Sequence, residues 1–306
     1  MEPVGDYGRL AVRIGLLSAV LFFAAAGSCP RAARAQDQHR LELGPEYRRF
    51  PAWEYAAAAT LLAGSGLIRL LSSPPAEANM RGGWPGDEAV RDVFCGLSQD
   101  ARARADFWSD LGWWVAQAFP VVVDGLLLGW LADDFNHDVG WQITAMNYEA
   151  YAVAGLLTSA SHALIGRERP SGHSCEEDDG YDPLCGSRAL YASFLSGHTS
   201  MAFAGAGLTC AHHQHVPLLG DTAWDVAACA LTTAMAYATG MFRIIADRHY
   251  LSDIAVSALT GFAAGYFIPT FLHYRAGDAA EPASGASTLL VPSASPTPQI
   301  SLGAPW

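Results

Sequence analysis

Beyond residue 50, apolar positions gather into six long stretches. They run at about Tyr55–Leu71, Phe107–Leu131, Ile143–Ile165, Thr199–Ala211, Ala223–Ile245 and Ile254–Leu272. All are rich in Ala, Gly and Leu and too long for strands, which predicts helices. Most approach the roughly 20 residues that a membrane-spanning helix needs; Thr199–Ala211 is short unless it extends into its neighbours. Their small residues suit close helix packing. Arg69, Asp110, Asp124 and Asp225 lie inside or at the ends of these stretches. A charge is costly in lipid, so these side chains are expected to face the bundle interior or an interface. The pattern predicts an all-α, multi-pass transmembrane bundle of about six core helices. A soluble, buried helical bundle is the alternative.

The connections divide the chain. Ser73–Asp106 carries Pro74-Pro75 and a Gly/Pro cluster at 82–86, and reads as a loop with a short amphipathic helix. Ser171–Leu195 is a second long loop. The residues from Ala276 are rich in Ala, Ser and Pro and read as a disordered tail. At the other end, Arg9 and Arg13 precede an apolar run, Ile14–Gly27, and Ala33-Arg34-Ala35 is an A-x-A site. This segment reads as a secretory signal peptide or as a retained N-terminal anchor. The expected organisation is therefore 1–35 as signal or anchor, 36–53 as an Arg-rich linker, 54–274 as the domain and 275–306 as the tail.

Composition supports a membrane protein. Hydrophobic residues make up 51% and charged residues only 16% of the 306, below the roughly 25% charged of an ordinary soluble domain. Mean hydropathy is only +0.16, which is small for a polytopic protein. All 18 basic residues are Arg, and the net charge of -12 leaves no basic footprint for a nucleic-acid partner.

Three polar clusters lie far apart in sequence and close to helix ends. The first runs from His162 to Arg169-Pro170; Pro170 disfavours helix at Arg169. The second is Ser196-Gly197-His198, where a small residue and free N–H groups at a helix start suit an anion. The third runs from Arg243 through His249 to Asp253. His249 and Asp253 are i and i+4, so Asp253 can hold one imidazole nitrogen and leave the other free. Arg forks suit phosphate oxygens. One His held by a carboxylate can act as nucleophile and a second can protonate a leaving oxygen. No metal is needed, since Arg and backbone donors can neutralise the charge. The residue types amount to a phosphoryl-transfer constellation.

These clusters resemble the signature of the type 2 phosphatidic acid phosphatase / vanadium haloperoxidase superfamily, KxxxxxxRP, PSGH and SRxxxxxHxxxD. The chain reads HxxxxxxRP at 162–170, LSGH at 195–198 and FRxxxxxHxxxD at 242–253, and the resemblance covers Tyr55 to Tyr274. It implies His249 as nucleophile through a phosphohistidine, Asp253 as its orienting group and His198 as general acid. It also implies that Arg169, Arg243, Ser196 and Gly197 hold phosphoryl oxygens, with His162 in the position of the family's Lys. Imidazole there loses the fixed charge, and its protonation against a phosphate dianion would make activity fall as pH rises. No cofactor is expected; vanadate would bind as a phosphate mimic. The implied activity is a lipid phosphatase acting on phosphatidic acid, phosphatidylglycerol phosphate, undecaprenyl pyrophosphate or lipid A phosphate, with the lipid and the bilayer as partners. A vanadate-dependent haloperoxidase and a non-catalytic relative are the alternatives.

Several residues stand outside this scheme. Cys175 and Cys185 flank an acidic loop and can form a disulfide on the oxidising side of a membrane, whereas Cys95, Cys210 and Cys229 read as buried thiols. His212-His213-Gln214-His215 resembles a metal-binding tract, though a polar interhelical turn accounts for it better. Asn147 and Glu149 could line the pocket or make structural hydrogen bonds, and Arg167 and Arg248 read as solvated or paired charges. Alternation of six helices puts all three clusters on one side. The expected location is a bacterial-type inner membrane with the site facing the periplasm; a soluble or peripheral periplasmic protein is the alternative.

Overall fold

The computed structural model describes residues 41–275 except 45 and 46. The signal or anchor run Ile14–Gly27, the cleavage site after Ala35 and the tail from Ala276 lie outside the described residues. Among the described residues six long helices carry the six apolar stretches: α1 Ala52–Leu71, α3 Gln99–Ala118, α4 His137–Leu164, α6 Gly197–His215, α7 Thr222–Ile245 and α8 Leu251–Pro269. α3 widens into a π-helical segment, Phe119–Leu131, at Pro120, whose missing N–H breaks the regular ladder, and α8 ends in a π turn, Thr270–Tyr274. Two short helices punctuate the long loops, α2 Asp87–Phe94 and α5 Ser171–Glu177, followed by a 3-10 turn at Arg188–Tyr191.

Helix starts follow local chemistry. Ser98, Asn136, Ser196 and Asp221 each accept a hydrogen bond from a backbone N–H two or three residues on. α6 is the central helix, packed against α3, α4, α7 and α8 and buried around most of its circumference. That position explains the short fourth stretch, because a helix surrounded by protein does not have to match a bilayer's thickness. The α6–α8 contact is the closest in the bundle. A Cβ added at Gly261 would lie 2.1 Å from the Ser200 carbonyl oxygen, and one at Gly265 2.0 Å from that of Ala204. Only glycine allows the two backbones to approach this far.

Three segments are long and apolar enough to cross a membrane: Gln99–Leu131, Thr222–Ile245 and Leu251–Tyr274. Their outer faces expose Trp114, Leu126, Leu231, Leu259 and Phe267, as lipid contact requires. The charges inside the stretches are all partnered. Arg69 donates to Ser159 Oγ at 2.9 Å, Asp110 meets His198, and Asp124 and Asp225 both meet His213.

Cys175 is disulfide-bonded to Cys185. Cys210 and Cys229 are not buried thiols; they form a second disulfide, between α6 and α7, because adjacent antiparallel helices bring the two β-carbons together. Cys95 stays free and half-buried. The histidine tract forms the last turn of α6. His212 sits between Tyr274 Oη and Asn147 Oδ1, and His213 between two aspartates, so these two rings are committed to separate structural partners. Asn147 and Glu149 therefore belong to the end of the bundle remote from the three clusters and do not line their pocket.

Candidate active site

The helix alternation places the end of α4, the start of α6 and the α7–α8 junction at one end of the bundle. Beneath them lies Arg167, fully buried at 0% exposure. It donates to Asp253 Oδ1 at 2.5 Å, to Ser252 Oγ at 2.8 Å and to Asp87 Oδ2 at 3.0 Å. Asp87 in turn accepts from the Ser252 N–H at 2.8 Å, so α2 is tied to the head of α8. Arg167 is thus a paired charge at the centre of the network, with no solvated character.

Asp253 does not hydrogen-bond His249 directly: its Oδ2 lies 3.9 Å from His249 Nδ1. That oxygen accepts instead from Ser193 Oγ at 2.6 Å and from the Tyr250 N–H at 3.0 Å, capping α8. The Ser193 carbonyl accepts from His249 Nδ1 at 2.7 Å. A carbonyl can only accept, so Nδ1 carries the proton and the Nε2 lone pair is free. Asp253 therefore orients the imidazole through Ser193. Burial pushes His249 well below its ordinary histidine value, reinforced by the Arg169 and Arg243 charges and opposed by the Ser193 carbonyl. The imidazole is neutral at neutral pH.

Arg169 donates only to the carbonyl oxygens of Ala189, Arg248 and Ala192. It makes no ion pair among the described residues. Burial, then the nearby Arg243 and Arg248 charges, push its guanidinium down to about 9. Arg243 pairs with Asp106 and donates to Ser109 Oγ at 3.1 Å, and its buried Nε has no hydrogen-bond partner. Arg248 lies 2.9 Å from Asp106 and 2.7 Å from Asp182. Asp106, Asp182, Asp87 and Ser193 all escaped the sequence reading. The only signal for them was acidic residues in the two long loops and at the head of α3.

His198 Nε2 lies 2.8 Å from Asp110 Oδ1, and its ring packs on Trp113 at 5.0 Å. Burial lowers its proton affinity, partly offset by Asp110. Ser196 is wholly buried and caps α6, its Oγ shared with Thr199 Oγ1 at 2.9 Å and its N–H given to Ser257 Oγ at 2.8 Å. Its side chain is thus occupied in the unliganded protein. Gly197 follows at the first turn, where a Cβ would lie 3.3 Å from Thr158 Cγ2.

His162 carries no fixed charge, as its residue type implied. Its Nε2–H donates to the Leu195 carbonyl at 2.7 Å, since that oxygen can only accept. Burial, with smaller contributions from Arg169 and Arg69 and against the Leu195 bond, pushes the imidazole down to about 4. It lies at the end of α4, outside the three candidate spans. His162 is thus a neutral strut for the Leu195–His198 turn. A cavity of about 310 Å³ opens beside these residues, lined by Asp106, Asp110, Arg248, Tyr181, Asp182 and Phe107.

Residues 148–276 match the family model of the PAP2 superfamily. The match spans the second half of α4 through the end of α8 and is consistent with the family resemblance of the three clusters. The three clusters at one end of the bundle all fall inside the matched span. None of the curated proteins compared with the chain matches it. PAP2 members are mostly phosphatases, so the match supports a hydrolase in general terms, and the apolar segments support a membrane-associated one.

Proposed function

We propose that the protein hydrolyses a phosphomonoester or pyrophosphate on an amphiphilic lipid, by a metal-independent route through a phosphohistidine on His249. The observation that carries this reading is Arg169: a half-buried guanidinium that makes no ion pair among the described residues and lies close to two other arginines. A partly desolvated cation without its own ion pair favours an arriving anion, and a phosphate fits its fork. His249 Nε2 attacks phosphorus while Nδ1–H stays on the Ser193 carbonyl, which stabilises the imidazolium that forms. Arg169, Arg243 and the first N–H groups of α6 receive the equatorial oxygens. Substrate phosphate raises the proton affinity of His198, which then protonates the leaving oxygen, and Asp110 holds its other nitrogen. Water next attacks the phosphohistidine with His198 as base. Asp106 already sits on Arg243 and Arg248, so substrate must displace it.

The deciding experiment is phosphate release by purified protein from the four candidate lipids, with EDTA present and with His249→Ala alongside. Release that survives EDTA and is absent from the variant supports the reading. Equal release by the variant removes the mechanism, and release that stops at once with EDTA removes its metal independence.

For location, the reading is a periplasm-facing site at the inner membrane, supported by the Cys175–Cys185 disulfide beside the site. A second reading has its own observation. Cys210–Cys229 lies towards the opposite end of the bundle, which favours a protein with both ends in an oxidising compartment. Thiol alkylation in intact cells, before and after reduction, separates the two. A reduced Cys210–Cys229 pair beside an oxidised Cys175–Cys185 pair supports the inner-membrane reading.

A further inference from the structure

At the end of the bundle remote from His249, three buried side chains from three elements converge. Glu54 lies in the first turn of α1, Glu149 midway along α4 and His273 in the π turn after α8; they are 1, 9 and 2% exposed. His273 Nε2 lies 3.1 Å from Glu149 Oε2 and 3.9 Å from Glu54 Oε2, and one ligand atom from each residue falls within 4.8 Å of the others. Glu54 Oε1 is paired with Arg48, whereas Glu54 Oε2 is buried and has no hydrogen-bond partner.

The tautomer of His273 adds an independent constraint. Its Nδ1 is 3.2 Å from the Arg48 carbonyl oxygen, which can only accept, so Nδ1 carries the proton. The ring is stacked on Phe50 at 4.8 Å and cannot turn freely. His273 Nε2 then faces two carboxylate oxygens, with Glu149 Oε2 within hydrogen-bond distance. Acceptor atoms gathered this closely need a proton or a metal cation between them. A ring N–H given to a backbone carbonyl is also how metal-ligating histidines are oriented.

We infer that Glu54, Glu149 and His273 form a structural site for a first-row divalent cation of the zinc class. A tetrahedral ion with bonds of about 2.0–2.2 Å holds its ligand atoms roughly 3.4 Å apart, close to the spacings already present. One imidazole nitrogen and two carboxylate oxygens are an ordinary donor set for such an ion. The ion would clamp the start of α1, the middle of α4 and the end of α8. It plays no part in phosphate chemistry: Glu149 is about 20 Å along α4 from His162, at 1.5 Å per residue.

The test uses the full chain, without a polyhistidine tag, purified in detergent without chelator and assayed for metals by plasma mass spectrometry. The expected result is about one equivalent of a single transition metal in the wild type and in His249→Ala, and under about a tenth in His273→Gln and Glu149→Gln. Added Zn2+ should raise the melting temperature of the metal-depleted wild type, and Co2+ loading should give visible absorption bands that Glu149→Gln lacks. Should the variants fail to fold, the wild-type metal content and its Zn2+-dependent melting still decide. A metal-free wild type that Zn2+, Mn2+ and Co2+ leave unshifted overturns the proposal and leaves a His273 imidazolium shared by the two glutamates. Equal metal in wild type and folded variants also overturns it. Neither reading uses phosphate release, so the phosphatase assignment stands or falls separately.

Discussion

The two ends of the bundle use the same residue types with opposite balances of charge. At the active-site end Arg169, Arg243 and Arg248 crowd together, and Arg169 has no carboxylate of its own. At the other end histidines are matched or outnumbered by acids: His213 between Asp124 and Asp225, His273 beside Glu149 and Glu54. The first end carries an excess of cations that suits an anion; the second is filled by its own carboxylates. What distinguishes a binding site from a structural network here is which charge is left over.

The largest way to break this contrast is at the nucleophile. His249→Ala should lower turnover by about 10⁴-fold or more while leaving far-ultraviolet dichroism unchanged, because no neighbouring group replaces Nε2. Arg169→Met should cost roughly 10²–10³-fold, and Arg169→Lys should recover only part, since ammonium lacks the planar fork. A smaller loss in Arg169→Met than in Arg248→Met would move the anion site towards Arg248. Asp106→Asn should alter phosphate and vanadate inhibition by about tenfold or less, in the direction of tighter binding, because a competing carboxylate has gone. Looser binding would make Asp106 a positioning residue for Arg243.

The pH dependence follows from burial. His162 is held neutral down to about 4, against an ordinary value of 6.5. Unfolding frees it to take a proton, so its contribution to stability is complete above about pH 6.5 and fades as pH falls towards 4. His249 acts in the same sense. Melting temperature should therefore drop between pH 6.5 and 4, and His162→Gln should flatten that fall. The same variant should change turnover least of all, by about threefold or less at neutral pH, because an amide can still donate to Leu195. A steep loss of rate would mean that substrate recharges His162.

Much of the architecture was legible because each long helix is a bounded apolar stretch. The three candidate clusters were legible because their spacings are local and end at helix caps. Partnerships across the fold were not. Nothing local shows that Asp87 and Asp106 fold over Arg167 and Arg243, or that Cys210 faces Cys229. The direct His249–Asp253 bond read from i,i+4 spacing failed because Ser193, from another loop, takes the Nδ1 proton and Asp253 is already engaged with Arg167 and the cap. The loss of fixed charge at His162 was legible from its residue type, whereas the depth of its burial, which sets its proton affinity, depends on α1, α4 and the 171–195 loop together.

The seat of Gly261 and Gly265 against α6 bears on how such a site can diversify. His198 rides at the head of α6, and His249 with Asp253 at the head of α8, on two rods that cannot be spaced apart or slid past each other without colliding backbones. Their separation is a fixed gauge. Asp106 and Asp110 ride on α3, and Asp182 on a loop stapled by one disulfide. A larger or differently shaped headgroup would be accommodated by redesigning that wall, while the gauge between the two histidines stays the same from one substrate to the next.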